Sequence, residues 1–289
     1  TTLDNGVPGT VTATTVDTVT GTAVEIAAAA TADGLGTLVL KDNFAATVSA
    51  GTASASDLNT ISSRTTGTIS VNETTTITGT TSALTSLYEA SGFSGLGDEA
   101  LTITSQTEAT ATAINHVNGL TSGAVDASAI TTITGNTENI NAVYASFDNG
   151  EITNLGDENI TVSDQSISSS MFKTLNANTS GTIDASSVTT FTGNITDTNA
   201  IYSDSVNGVN QITGLGNEGV IVSDSTVDAS SLNTLSEYTS GTINITGASA
   251  INGSAADVKA ALADQEITHD TDFTVTISGT SAAAADLKA

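Results

Sequence analysis

Cysteine and tryptophan are absent from this 289-residue chain, proline and methionine occur once each, and aromatic residues make up only 3% of it. Without cysteine there are no disulfides, no zinc–thiolate sites and no thiol nucleophile. So few aromatics leave little material for a large globular core, which disfavours a conventional enzyme fold. Cations are scarce too: 5 Lys plus Arg stand against 31 Asp plus Glu, a formal net charge of −26. That charge repels phosphate backbones and anionic lipid, so nucleic acid is excluded as a partner. No stretch approaches the roughly 18 uninterrupted apolar residues of a membrane helix, so membrane insertion is excluded as well. The Ala-rich run at 27–32 is too short to insert or to act as a secretory h-region, and no signal peptide is visible. Because the chain starts at Thr1 rather than Met, an upstream piece is expected to have been removed, by processing or by excision. High acidity without cysteine suits an extracellular protein in salty water, where counter-ions screen self-repulsion.

What is present is 38% hydrophobic residues, mostly Ala, Val, Ile and Leu. The same charge on a less apolar chain would predict disorder. The two facts are reconciled by a fold that buries small side chains repetitively, and the repeat is legible. A first anchor, a Gly followed by Thr or Ala and then Ile or Val, recurs at nearly even intervals, at Gly67, Gly123, Gly181 and Gly241. A second anchor, a Gly after Ile or Phe and then Thr or Asn, follows at one fixed distance each time, at Gly79, Gly135, Gly193 and Gly253, with a forerunner at Gly21. A third is Leu-Gly plus an acidic pair or its relative: Leu96-Gly97-Asp98-Glu99, Leu155-Gly156-Asp157-Glu158 and Leu215-Gly216-Asn217-Glu218, with Leu35-Gly36 earlier. The stretch from second to third anchor is not fixed. It lengthens from Gly21–Gly36 to Gly79–Gly97, Gly135–Gly156 and Gly193–Gly216, so length differences are expected to collect in one loop.

Apolar spacings of 3 and 4 mark short helical turns after the second anchor, as at Leu84, Leu87 and Tyr88, and before the first, as at Leu58 and Ile61. Short β-favouring runs lie between them: Leu101-Thr102-Ile103-Thr104, Ile160-Thr161-Val162-Ser163 and Val220-Ile221-Val222-Ser223. The expected fold is therefore mainly β: a β-solenoid of about nine to ten coils, each of roughly 29 residues, with short helical turns on one side. A β-sandwich is the alternative. The whole chain, 1–289, reads as a single repeat domain with repeats at approximately 10–66, 67–122, 123–180, 181–240 and a partial 241–289. The final Ser281-Ala282-Ala283-Ala284-Ala285-Asp286-Leu287 matches Thr52-Ala53-Ser54-Ala55-Ser56-Asp57-Leu58, the opening of another helical turn.

At these anchors, segments such as TSGTIDASSVTTFTG (179–193), ITGLGNEGVIVSDSTVDASSLNTL (212–235) and SAADVKAAL (254–262) resemble the Thr/Asp/Ala-rich repeat arrays of surface or secreted proteins of marine cyanobacteria and of fibres of their phages. The resemblance spans nearly the whole chain and implies an extended structural or adhesive role rather than a defined reaction.

Candidate chemistry is thin. The pairs Asp98-Glu99 and Asp157-Glu158 offer oxygens at turns, where Ca2+ takes its ligands, and are the candidate metal residues; Ca2+ is the one cofactor considered, set against solvated corners that keep the protein soluble. Asp164, Asp224 and the Asp126, Asp184 and Asp228 copies of Asp-Ala-Ser read as turn residues. His116 and His269 sit at non-equivalent repeat positions with no second ligand at metal spacing. No nucleophile elbow accompanies the many serines, and no catalytic residue is assigned. Tyr88, Tyr144 and Tyr202 stand in phase and read as core residues with the hydroxyl reaching a wet edge, rather than as a sugar-binding stripe. The function expected is that of a non-enzymatic extracellular structural protein, a subunit of a filament, surface layer or fibre assembling end to end with itself. The alternative is an adhesin or phage receptor-binding module for surface glycans.

Overall fold

The computed structural model describes residue 6, residues 9–207 and residues 212–287. Helix and parallel strand alternate along the chain, with 35% of residues helical and 28% in strands. The fold is therefore α/β. This balance overturns the mainly β-solenoid expected from the sequence, and the β-sandwich with it, because a sandwich pairs its strands antiparallel. The segments read as single helical turns are helices of 8 to 13 residues: α1 (Ala23–Gly34), α2 (Ala55–Ser62), α3 (Thr81–Glu89), α4 (Ala111–Asn118), α5 (Thr137–Asp148), α6 (Ser169–Asn178), α7 (Ile195–Asn207), α8 (Ala229–Tyr238) and α9 (Ala255–Ala263), followed by the four-residue Ala284–Leu287.

In α2 to α8 Ser, Thr and Asn are frequent and have weak helix propensity, which is why the length of these helices is hard to read; α1 and α9 are instead rich in alanine. Caps and packing supply what propensity does not. Thr22 and Glu25 form a capping box at the start of α1, with Glu25 accepting from the Thr22 amide at 2.9 Å. Thr80, Thr110, Asp228 and Ser254 cap α3, α4, α8 and α9 through their own side chains. Three helices also take an acceptor from further along the chain: Gln106, Asp164 and Asp224 accept the amides of Thr81, Thr137 and Ile195 at 3.0, 2.7 and 2.7 Å. The apolar face predicted for each helix is buried, as at Leu58 and Ile61, Leu84 and Leu87, Phe172 and Leu175, and Leu232 and Leu235.

The Asp228 cap yields a test. The Ser230 hydroxyl and then the Ser231 amide hold its carboxyl below the usual value of 3.8. A depressed pKa means that the cap's contribution is complete above the unfolded-state value and is lost as pH falls through the folded one. Asp228→Ala is expected to cost about 1 kcal/mol at neutral pH, a difference from wild type that closes in acid below about pH 4. Asp228→Asn keeps the acceptor and should sit close to wild type at neutral pH while lacking this acid sensitivity. Thermal unfolding followed by circular dichroism across pH reads both.

The residues form two compact units, Thr1–Thr131 with Val143–Leu155, and Thr132–Ala142 with Gly156–Ala289. Within each, a strand hydrogen-bonds in parallel to its counterpart one helix further along, so each helix with its flanking strands acts as a half-repeat. In the first unit Ile77, Leu101, Val125 and Ile152 form one fully buried column across paired strands. In the second, Ile133, Ile160, Ile183 and Ile212 form another, and Phe191, Val220, Ile243 and Ile267 a third. In the second unit Phe172 and Tyr202 both meet Phe191 edge-on, at 5.4 and 6.0 Å between ring centres.

Length differences between repeats are not confined to a loop. The stretches Gly79–Gly97, Gly135–Gly156 and Gly193–Gly216 lengthen in that order. The helices inside them, α3, α5 and α7, lengthen with them, at 9, 12 and 13 residues. The helix absorbs part of the insertion while the strands keep their register.

Candidate functional site

The residues that looked chemically interesting meet at one recurring corner. The third-anchor glutamates turn inward: Glu99, Glu158 and Glu218 are 3%, 1% and 0% exposed. Each carboxylate closes its own corner by accepting the amide of the glycine two residues earlier, at 2.9 Å from Gly97, Gly156 and Gly216. A helix supplies a second donor. The Tyr88 hydroxyl, from α3, donates to Glu99, and Tyr202, from α7, donates to Glu218 at 2.8 Å. Burial and then the hydrogen bond and charge of the glutamate push both phenols above their ordinary range.

The first-anchor corner of the next half-repeat sits on the backbone of that glutamate. Thr121, Thr179 and Thr239 donate their hydroxyls to the carbonyls of Glu99, Glu158 and Glu218 at 2.6, 2.6 and 2.7 Å. The same hydroxyls accept from the amides of Gly123, Gly181 and Gly241 two residues on. The carbonyls of Gly97, Gly156 and Gly216 accept from the amides of Ser122, Ser180 and Ser240 at 2.8, 2.8 and 2.9 Å. First and third anchors keep phase because they are two sides of one contact.

The N-terminal corner corrects the reading of Leu35-Gly36 as its third anchor. Thr65 instead donates to the carbonyl of Phe44, and the amide of Thr66 to Asp42. Residues 42–44 therefore occupy the corner, with fully buried Phe44 where the later copies place a glutamate. Measured to Asp42, the stretch from Gly21 is as long as that from Gly135 to Gly156. Each of these two equal stretches holds a 12-residue helix, α1 and α5.

The candidate Ca2+ pairs are each split by this geometry. Glu99 and Glu158 face in and are occupied by amide donors, whereas Asp98 and Asp157 face solvent. Among the described residues no group of three or more His, Cys, Asp or Glu is placed to hold a metal ion. Asp126 and Asp184 accept the amides of Ser128 and Ser186, each at 2.9 Å, closing tight turns. His116 lies on α4, and the His269 ring packs edge-on against Phe273 at 5.2 Å.

Four ion pairs, Lys41–Asp17, Arg64–Asp33, Lys173–Asp197 and Lys259–Asp286, each join successive half-repeats and involve every Lys and Arg among the described residues. The other carboxylates face no cation among these residues, so the surface field is strongly negative and its strength is set by salt. One shallow polar groove is lined by Asn118, Thr121, Ser122, Asn149 and Glu151, with no aromatic ring against which a sugar would stack. No protein family and no curated protein matches the chain.

Proposed function

We propose that this is a non-enzymatic, extracellular structural repeat protein, a subunit of a filament, surface layer or fibre that associates with itself. The observation that carries the reading is how the chemically capable groups are used. The buried glutamates, their tyrosines, the corner threonines and the Asp-Ala-Ser aspartates are all engaged in contacts that repeat down the chain, and none converges with others on a cleft. A residue set devoted to joining one half-repeat to the next is suited to building length.

Self-association of so acidic a chain has to overcome its own charge, so it should depend on screening. Electron microscopy and sedimentation are expected to show monodisperse particles in low salt and ordered assemblies at about 1 M NaCl, where the Debye length is about 3 Å. Mg2+ and Ca2+ are expected to act alike, as counter-ions. Monomers under every condition would remove the reading, and assembly requiring Ca2+ alone would return attention to the acidic corners.

A further inference from the structure

In the last described half-repeat, apolar residues are exposed at positions that the earlier copies bury. In the strand Thr274–Ile277, Val275 is 42% and Ile277 38% exposed, and Leu287 beyond it is 61% exposed. Their repeat counterparts are covered: Leu101, Ile160 and Val220 for Val275, Ile103, Val162 and Val222 for Ile277, and Leu58, Ile114, Phe172 and Leu232 for Leu287 lie between 0 and 3%. With Val258 and Leu262 these side chains line an apolar groove. The strand is at a sheet edge and holds only Thr, Val and Ile, with no charge, proline or bulge to discourage pairing.

In the inner repeats that face is covered by a half-repeat bearing the first and second anchors. The N-terminal half-repeat bears both, as Gly9-Thr10-Val11 and Thr18-Val19-Thr20-Gly21, at the separation that every inner repeat keeps. Its apolar residues too are partly exposed. Val11 and Val19 are only half-buried, although their counterparts Val125, Ile183 and Ile243, and Ile77, Phe191 and Ile251, are fully buried. The strand Thr18–Gly21 is also at a sheet edge. A Cβ added at Gly79, Gly193 or Gly253 would meet Ala55, Ser169 or Ala229 of the preceding half-repeat at 3.0, 2.9 and 2.9 Å, whereas the three atoms nearest to one added at Gly21 all belong to Glu25 on the helix that follows it, the first at 2.9 Å.

We propose that the C-terminal face of one molecule receives the N-terminal half-repeat of a second copy, in the register the fold uses internally. Leu101 pairs with Val125 and Thr102 with Asp126; the joint pairs Val275 with Val11 and Thr276 with Thr12. Ala53 pairs with Ile77; the joint sets Ala282 beside Val19 and brings Ala284 against Gly21, as Ala55 lies against Gly79. Such a contact is heterologous, joining unlike surfaces, so it propagates into open chains or closes into rings. The joint rests on the self-association proposed above and says where it happens.

The absence of native cysteine makes the test direct. In the full chain, Thr12→Cys and Thr276→Cys place one thiol on each side of the joint, at the separation of neighbouring strands, which a disulfide spans. At about 1 M NaCl and under mild oxidation, the two single variants mixed are expected to give a disulfide-linked heterodimer. Each alone should stay uncross-linked, and one chain carrying both should give a ladder. Val275→Asp with Ile277→Asp alters residues that are exposed in the single molecule, so the circular dichroism spectrum should hold while association falls at least tenfold. Homodimers of the Thr276→Cys variant as abundant as the heterodimer would overturn the joint. Assemblies that persist in the double Asp variant without cross-linking would also overturn it while leaving self-association standing. Wild-type monomers at every salt concentration would remove both.

Discussion

Gly181→Ala is expected to destabilise the protein by about 3 kcal/mol, a drop in Tm of roughly 6–12 °C for a chain this long. A methyl group at that position would lie 2.3 Å from the carbonyl oxygen of Glu158 and 2.5 Å from its carbonyl carbon. Both are backbone atoms, so neither can rotate aside, and the two corners must part. Parting them stretches the bonds from Thr179 to Glu158 and from the Ser180 amide to Gly156. Each is a hydrogen bond of about 1 kcal/mol, and the first is buried. Gly123 and Gly241 meet Glu99 and Glu218 in the same way, at 2.5 and 2.2 Å, and the same cost is expected there. Gly247 is the control. Nothing lies within 4 Å of a Cβ added at that residue, so Gly247→Ala should change stability by no more than about 1 kcal/mol, upward if it changes at all. Thermal unfolding of the three corner variants beside Gly247→Ala decides it: equal Tm values would mean that the corners are not in contact.

These corners also explain what the sequence makes legible. The fixed distance from first to second anchor corresponds to a short strand, a tight turn and a second strand, with the turn closed by the amides of Thr74, Ile130, Val188 and Ala248 on the carbonyls of Val71, Ala127, Ala185 and Ile245. An insertion there would break strand register on both sides, so the spacing is rigid and visible. The helical faces at Leu58 and Ile61, or at Leu84 and Leu87, are legible because burial demands apolar residues at those steps. Helix length is not, because it depends on partners far along the chain: Asp164 and Asp224 act on amides 27 and 29 residues away. That blind spot turned an α/β fold into an expected mainly β one. The acidic corner misleads for a related reason. Asp98-Glu99 looks like a pair, yet Glu99 immediately precedes the strand Ala100–Ile103 and turns into the corner while Asp98 faces water, so proximity in sequence is not convergence in space. Phe44 hides the N-terminal copy of that corner altogether, because its role is held by backbone carbonyls that any residue supplies.

Glu218→Leu is expected to cost about 3 kcal/mol, and Glu218→Gln less, about 1 kcal/mol. The carboxylate is fully buried and accepts from the Tyr202 hydroxyl at 2.8 Å and the Gly216 amide at 2.9 Å. Leucine fills similar space but leaves both donors buried and unpaired, at about 1–3 kcal/mol for each. Glutamine keeps the one acceptor oxygen that both donors use, but it puts its amide group where the second carboxylate oxygen has no hydrogen-bond partner among the described residues, and those buried N–H groups lack an acceptor. Tyr202→Phe removes one donor and should fall between the two. Because both side chains belong to one network, the double variant Tyr202→Phe with Glu218→Leu should cost less than the two single changes added together, a coupling that thermal or urea unfolding measures directly. The same contact has an alkaline signature. Burial and Glu218 raise the Tyr202 phenol in the folded state above its unfolded value of 10.0, so its contribution to stability is complete below about pH 10 and declines as pH rises beyond it. Tyr202 should therefore ionise only together with unfolding, and ultraviolet absorbance and circular dichroism should change in one step. Titration of Tyr202 near pH 10 in the folded protein would show that its hydroxyl is open to water and that the buried pair with Glu218 does not form.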